Sequence, residues 1–338
     1  MKLLVLGSHA YTIEHFACMN LRELGHEVMF YGYKDKIGRL ADPVRMTITR
    51  SAVLRSLAGP IWLNRINDEI IKLADRLRPD VVLSVKGEVI RPETIMSIRT
   101  ELGLRTALWY PDDPRFFNSL VKHIAPSYDF VFTASEKAIG MYKRSGVKNV
   151  YYLPFACEPS VHRRVHLSER EHTYYSSDIC FVGTYTPRRA AIVGALRKAG
   201  LAVRVWGPYW KYFVRWDGIA DAAYGPQMVK IFNGAKIVLN VHVEDDLPYK
   251  VNMRTFEVAG CGAFLLTDES EGMKKMFRVG EELAAYHDQT ELIELAQYYL
   301  DAQERSEIAE KAQHRAYSDH TYERRMRQFL DVVRSSKT

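Results

Sequence analysis

The chain has 338 residues, 47% of them apolar and 26% charged, with a net charge of +6. These values exclude a disordered or low-complexity chain and predict two globular domains of about 150 residues each. The mildly basic balance is compatible with an anionic small ligand, nucleic acid or peripheral contact with an acidic membrane surface, but no run of five or six like charges marks a polybasic tail.

In chain order, the first half alternates apolar runs with amphipathic stretches. Strands are predicted at 3–7, 28–33, 81–85, 106–110, 130–134 and 150–154. Leu3–Gly7 is too short for a signal-peptide core and reads as the first strand. The clearest helical stripe is Trp62, Ile66, Ile70, Leu73 and Leu77, closed by Arg78-Pro79. Near-continuous apolar strands alternating with helices predict a parallel sheet covered on both faces.

The pattern breaks at Leu153–Pro159, which carries two prolines, and at the polar segment 162–175, read as an interdomain linker. A second series follows, with strands at 178–183, 203–206, 237–241, 263–267 and 283–287. From Gln289 onward the chain reads as helical, with a break near Tyr317–His320. Two successive Rossmann-like halves place their ligand sites at the carboxyl ends of strands, so the loops after strands hold the candidates.

In the second half, Gly183-Thr184-Tyr185-Thr186-Pro187-Arg188-Arg189 follows a strand and opens a helix. A helix start with Arg188 and Arg189 suits a diphosphate, and the bland alternative is a plain turn with solvated arginines. Gly207, after the next strand, admits a ligand or simply forms a turn. Tyr224-Gly225-Pro226-Gln227 precedes a helix and offers Gln227 to a planar base, or has no role. In VNMRTFEVAGCGAFLLTD, Asn252, Arg254 and Glu257 stand near a helix start. The amide end and Arg254 favour an anion, and the Glu257 carboxylate accepts two hydroxyls of a ribose diol. The alternative is an ordinary i,i+3 Arg–Glu pair. Gly260 and Gly262 are read as helix-end glycines.

In the first half, Asp112 and Asp113 end a strand and are candidates for a general base, or for turn and cap chemistry. His9, after the first strand, is a candidate base or a hydrogen-bonded wall residue. Lys86-Gly87-Glu88 follows a strand at the same edge. No metal site is expected, because adjacent carboxylates project apart and no third ligand is near. The four cysteines, Cys18, Cys157, Cys180 and Cys261, form no C-x-x-C pair, and three of them lie in apolar or small-residue settings that suit buried free thiols in a reducing cytoplasm. No G-x-G-x-x-G or P-loop pattern occurs, and no run of about 18 apolar residues predicts a membrane span. Lysines and arginines are dispersed rather than interleaved with aromatics, which argues against nucleic acid.

The run Asn252-x-Arg254-x-Phe256-Glu257-x-Ala259-x-Cys261-Gly262 with Phe264–Thr267 resembles the signature of CgeB-like, spore-protein-type glycosyltransferases. Phe181–Thr184 and Trp109–Asp113 are similar to the same family, and the likeness covers most of the chain. The resemblance implies a GT-B fold: two Rossmann-like domains facing a cleft, residues 1–156 for the acceptor and 157–316 for the nucleotide sugar, with 317–338 returning to the first domain. It implies a metal-independent hexosyltransferase without a cofactor, moving a sugar from a nucleotide-diphosphate sugar, UDP by default. The acceptor is a hydroxyl on a glycan, protein or small molecule. By this resemblance Glu257 holds the ribose, Asn252, Arg254 and the 183–189 loop hold the diphosphate, and Phe256 belongs to the same signature. Related family 4 enzymes carry a Glu eight residues before the ribose Glu, where this chain has Tyr249. Retaining or inverting stereochemistry therefore does not follow. The competing reading is a non-catalytic protein that keeps a nucleotide-sugar cleft.

Overall fold

Runs such as Leu3–Leu6 and Val81–Leu83 carry no outward polar face, so the strands they form must be covered on both sides. The computed structural model describes residues 1–7, 12–33, 52–242 and 251–335, the side chains of 52–62 excepted. It divides the chain into two compact units, Met1–Pro154 joined by the chain from Arg325 onward, and Phe155–Arg324.

The first unit holds a six-stranded parallel sheet: β1 (Lys2–Gly7), β2 (Glu27–Gly32), β3 (Val81–Val85), β4 (Arg105–Tyr110), β5 (Phe130–Thr133) and β6 (Val150–Tyr152), in the order β2-β1-β3-β4-β5-β6. Helices Ile13–Glu23, Ala52–Leu77, Pro92–Thr100 and Glu136–Arg144 connect the strands. Ile66 and Ile70 of the predicted stripe, with Ala74, join the sheet residues Leu4, Val82 and Leu108 in the core, and Leu73 and Leu77 pack partly buried against it. The last helix, Tyr322–Ser335, completes this unit. Phe329 lies 5.1 Å from Phe132, and the Arg325 guanidinium donates to the Pro154 carbonyl at 3.1 Å.

The second unit repeats the plan with β7 (Ser177–Val182), β8 (Val203–Trp206), β9 (Ile219–Ala220), β10 (Ala235–Asn240), β11 (Leu265–Asp268) and β12 (Ala284–Tyr286). All pairs are parallel, in the order β12-β11-β10-β7-β8-β9. The chain builds outward from β7 through β8 to β9, then returns to add β10 on the other side of β7. That reversal makes the carboxyl ends of β7 and β10 the topological switch point of this unit.

The predicted linker is only partly irregular. Residues Glu169–Tyr175 form a helix with a full capping box between Ser168 and Glu171. The helix buries no residue, so it lacks the apolar stripe by which helices are read. The tail is three helices, Gln289–Asp301, Arg305–Asp319 and Tyr322–Ser335, so it breaks at 302–304 as well as near the expected position. All four cysteines are free and buried, and burial pushes the Cys18 and Cys180 thiols up to about 12.

Candidate functional site

At the switch point of the second unit, Thr186 caps the helix Pro187–Lys198 by accepting from the Arg189 N–H at 3.2 Å, and Pro187 opens it. Arg189 ties the loop down: its Nε donates to the Val241 carbonyl and its guanidinium to the Thr184 carbonyl, both at 3.0 Å, above the Phe181 ring. Arg188 reaches the His242 carbonyl at 2.5 Å and Asp268 at 3.2 Å. Both arginines therefore stitch β7 to β10 and β11, while Thr184 is exposed and Tyr185 stacks on Phe213 at 4.4 Å.

Gly207 is buried where the loops after β7 and β8 meet. A Cβ there would stand 1.9 Å from the Gly183 carbonyl oxygen, so the glycine exists to let the two strand-end loops meet. The Trp210 indole N–H donates to that same carbonyl at 2.8 Å. Gln227 is exposed in the first turn of the helix Gly225–Gly234, whose N-cap Tyr224 supplies no side-chain cap.

The helix Met253–Gly260 begins beside the end of β10. Asn252 is its cap, accepting from the Thr255 N–H at 3.2 Å. Its amide donates to Asn240 Oδ1 at 3.0 Å, and Asn240 Nδ2 donates back at 3.2 Å. Asn252 is thus occupied by the cap and by this amide pair. Arg254 donates to Glu257 Oε2 at 2.5 Å, touches the Met228 sulfur and lies over the Phe232 ring at 5.2 Å. Glu257 is 2% exposed, with its second oxygen 3.8 Å from His162 Nε2. The Glu158 N–H donates to His162 Nδ1 at 2.9 Å, which leaves the ring hydrogen of a neutral His162 on Nε2, facing Glu257. Burial lowers the His162 pKa and favours that neutral form. Phe256 is fully buried against Phe277 and His320, at 5.6 and 5.3 Å.

In the first unit, Asp112 and Asp113 separate as adjacent residues should. Asp112 pairs with Lys86 Nζ at 2.6 Å. Burial works against the Lys86 charge, yet Asp112 holds its pKa above the ordinary lysine value. Asp113 Oδ2 accepts from Thr133 at 2.6 Å and Tyr142 at 2.8 Å, while Oδ1 is buried without a hydrogen-bond partner. Burial raises its pKa to about 6, against the pull of the two hydroxyls. His9 and Tyr249 lie outside the described residues. Among the described residues, no three His, Cys, Asp or Glu side chains are grouped to hold a metal, and no helix is long and apolar enough to cross a membrane.

Sequence reasoning misses His162, His242 and Asp268. Asp268 had a usable signal, an acid closing an apolar strand at the sheet's carboxyl edge. His162 had none, because it sits in the segment read as linker.

Residues 188–331 match the family model described as Glycosyl transferase-like. Spore protein CgeB of Bacillus subtilis (strain 168) is 24% identical over 265 residues, covering 73% of this chain and 80% of that protein. Among solved structures, Anabaena HepE in complex with UDP-glucose superposes with a TM-score of 0.68 at 10% identity, over 99% of this chain and 100% of that one. Sucrose-phosphate synthase from Thermosynechococcus elongatus gives 0.69 at 11% identity, over 99% and 98%. The chain is similar to CgeB over most of its length, has the GT-B fold of glycosyltransferases, and carries a glycosyl transferase-like segment at 188–331.

Proposed function

We propose that this protein transfers a hexosyl group from a nucleotide-diphosphate sugar, with UDP as the default nucleotide, to an acceptor hydroxyl. The observation that carries the reading is the buried Glu257 carboxylate faced by Arg254, on a helix that starts at the carboxyl edge of a Rossmann-like sheet. The UDP-glucose bound to HepE, on the same fold, supports a nucleotide-sugar donor. A ribose diol that reaches Glu257 replaces the Arg254 contact on Oε2 and leaves the guanidinium for a phosphate oxygen. The exposed first-turn N–H groups at Gln227 and the backbone of the 183–189 loop add donors at the same edge. Charge developing on the departing diphosphate is then met by Arg254 and these donors, in a reaction proposed to use no metal.

The first unit takes the acceptor in this reading, and Asp113 is its base. Asp112 is neutralised by Lys86, whereas Asp113 carries an oxygen without a partner and a pKa near the working range of a general base. The acceptor is a glycan, protein or small-molecule hydroxyl. Sugar-nucleotide turnover across a donor panel tests the reading, with Arg254→Ala and Glu257→Ala as the site variants. Loss of transfer and of nucleotide affinity is expected in both, and two variants that keep both properties overturn the site. Nucleotide-dependent thermal stabilisation without transfer to any acceptor would leave a binding protein instead.

A further inference from the structure

β7 and β10 are neighbours although β8 and β9 lie between them in sequence, so the crevice at their carboxyl ends is where this sheet receives a ligand. His242 stands two residues beyond β10 at that crevice, with its side chain 4% exposed. Its Nδ1 lies 2.7 Å from Asp268 Oδ1, and its backbone N–H donates to the same oxygen at 3.0 Å. The other oxygen of Asp268 is held by Arg188, which also donates to the His242 carbonyl. The residue is thus held at three points, its ring Nδ1, its backbone N–H and its carbonyl, by groups on the neighbouring strand end and on the 183–189 loop's helix.

An ionised carboxylate only accepts, so His242 Nδ1 carries the hydrogen, and in the neutral ring Nε2 is a lone pair. That Nε2 is buried and has no hydrogen-bond partner among the described residues. Most buried histidines satisfy both ring nitrogens, because an unmet buried acceptor is costly. The orphan atom is an acceptor awaiting a donor. A diphosphate offers only acceptor oxygens when ionised, and the ribose diol is already assigned to Glu257. The remaining donors on a nucleotide sugar, apart from its base, are the hydroxyls of the sugar.

We propose that His242 Nε2 accepts a hydrogen bond from a hydroxyl of the donor sugar and is the contact by which the second unit distinguishes a sugar nucleotide from the bare nucleotide. The inference rests on the reading of this unit as the nucleotide-sugar unit. Asp268 fixes the tautomer, and Arg188 fixes Asp268.

Calorimetric titration with UDP and with a panel of UDP-sugars, UDP-glucose among them, tests it on the wild type and His242→Asn. Asparagine keeps a donor near the position of Nδ1 and removes Nε2. The wild type is expected to bind one UDP-sugar more tightly than UDP. His242→Asn loses that advantage by roughly tenfold, the worth of one buried hydrogen bond, while its UDP affinity is kept. A variant that retains the advantage, or that loses UDP and UDP-sugar alike, overturns the role of His242 and leaves the nucleotide-sugar reading standing. A wild type that binds neither UDP nor any sugar nucleotide removes that reading, and the inference with it. Should His242→Asn not fold, mono-deoxy analogues of the preferred sugar nucleotide decide on the wild type alone. One of them must bind roughly tenfold more weakly than the parent, and equal binding by all of them overturns the proposal.

Discussion

Substituting Gly207 by Ala probes the meeting of the two strand-end loops most directly. The added Cβ would stand 1.9 Å from the Gly183 carbonyl oxygen and 2.7 Å from its carbon, both backbone atoms that no rotamer change can move. Side-chain contacts essentially never fall below 3.0 Å, so the loops after β7 and β8 must part by about an ångström. That parting stretches the Gly183 N–H bond to Trp206, 2.9 Å, and the Tyr185 N–H bond to Pro208, 3.1 Å. Overpacking of this kind costs about 1–3 kcal/mol, and each loosened hydrogen bond adds about 1. A total of about 3–5 kcal/mol lowers the melting temperature of a unit this size by roughly 10 °C. Gly194→Ala is the control, because its Cβ meets only the Trp216 ring at 3.5 Å, an ordinary contact inside a helix. It should leave the melt unchanged or raise it, by up to about 1 kcal/mol of helix propensity. Near-ultraviolet circular dichroism, which sees Trp206 and Trp210 beside the loop, follows both variants. If Gly207→Ala melts within about 2 °C of the wild type, the close approach of these loops is wrong.

Arg254→Ala strands the buried Glu257 carboxylate, and the second unit should lose about 3 kcal/mol; adding Glu257→Gln should recover part of it in a denaturant cycle. Asp113 gives a pH effect whose sign is fixed by its raised pKa. Between about pH 4 and 6 the folded carboxyl holds a proton that the unfolded one releases, so the stability of the first unit falls as pH rises through that window, by up to about 3 kcal/mol. Thermal melts of Asp113→Asn across those pH values should be flatter than wild type, and parallel curves would refute the burial of this charge. Phe329→Ala opens the fully buried contact with Phe132 and should cost the first unit about 3–5 kcal/mol, read from its own unfolding transition.

Parallel strands buried on both faces are written as unbroken apolar runs, which is why β3 and β8 fall at their expected residues and the other long strands within a residue or two. β9 is two residues long, Ile219–Ala220, and leaves no run to read. The helix Glu169–Tyr175 has no apolar stripe, and only its Ser168–Glu171 capping box announces it. At the candidate site, the spacing of Asn252, Arg254 and Glu257 is legible because it is local to one helix. What each residue does is decided by groups from elsewhere: Asn240 takes Asn252, Phe232 and Met228 receive Arg254, and His162 stands behind Glu257. Gly207 looks like a ligand glycine in sequence, and only the Gly183 carbonyl, more than twenty positions away, explains it.

The return of the last helix to the first unit bears on how the chain is made. The second unit, Phe155–Arg324, is continuous in sequence, while the first is split around it. During synthesis the second unit can close as soon as its own residues emerge, but the first must wait with Phe132 uncovered until Phe329 arrives. The half that begins translation is therefore the half that finishes folding last, and a chain cut after Arg324 contains all of the second unit but not all of the first.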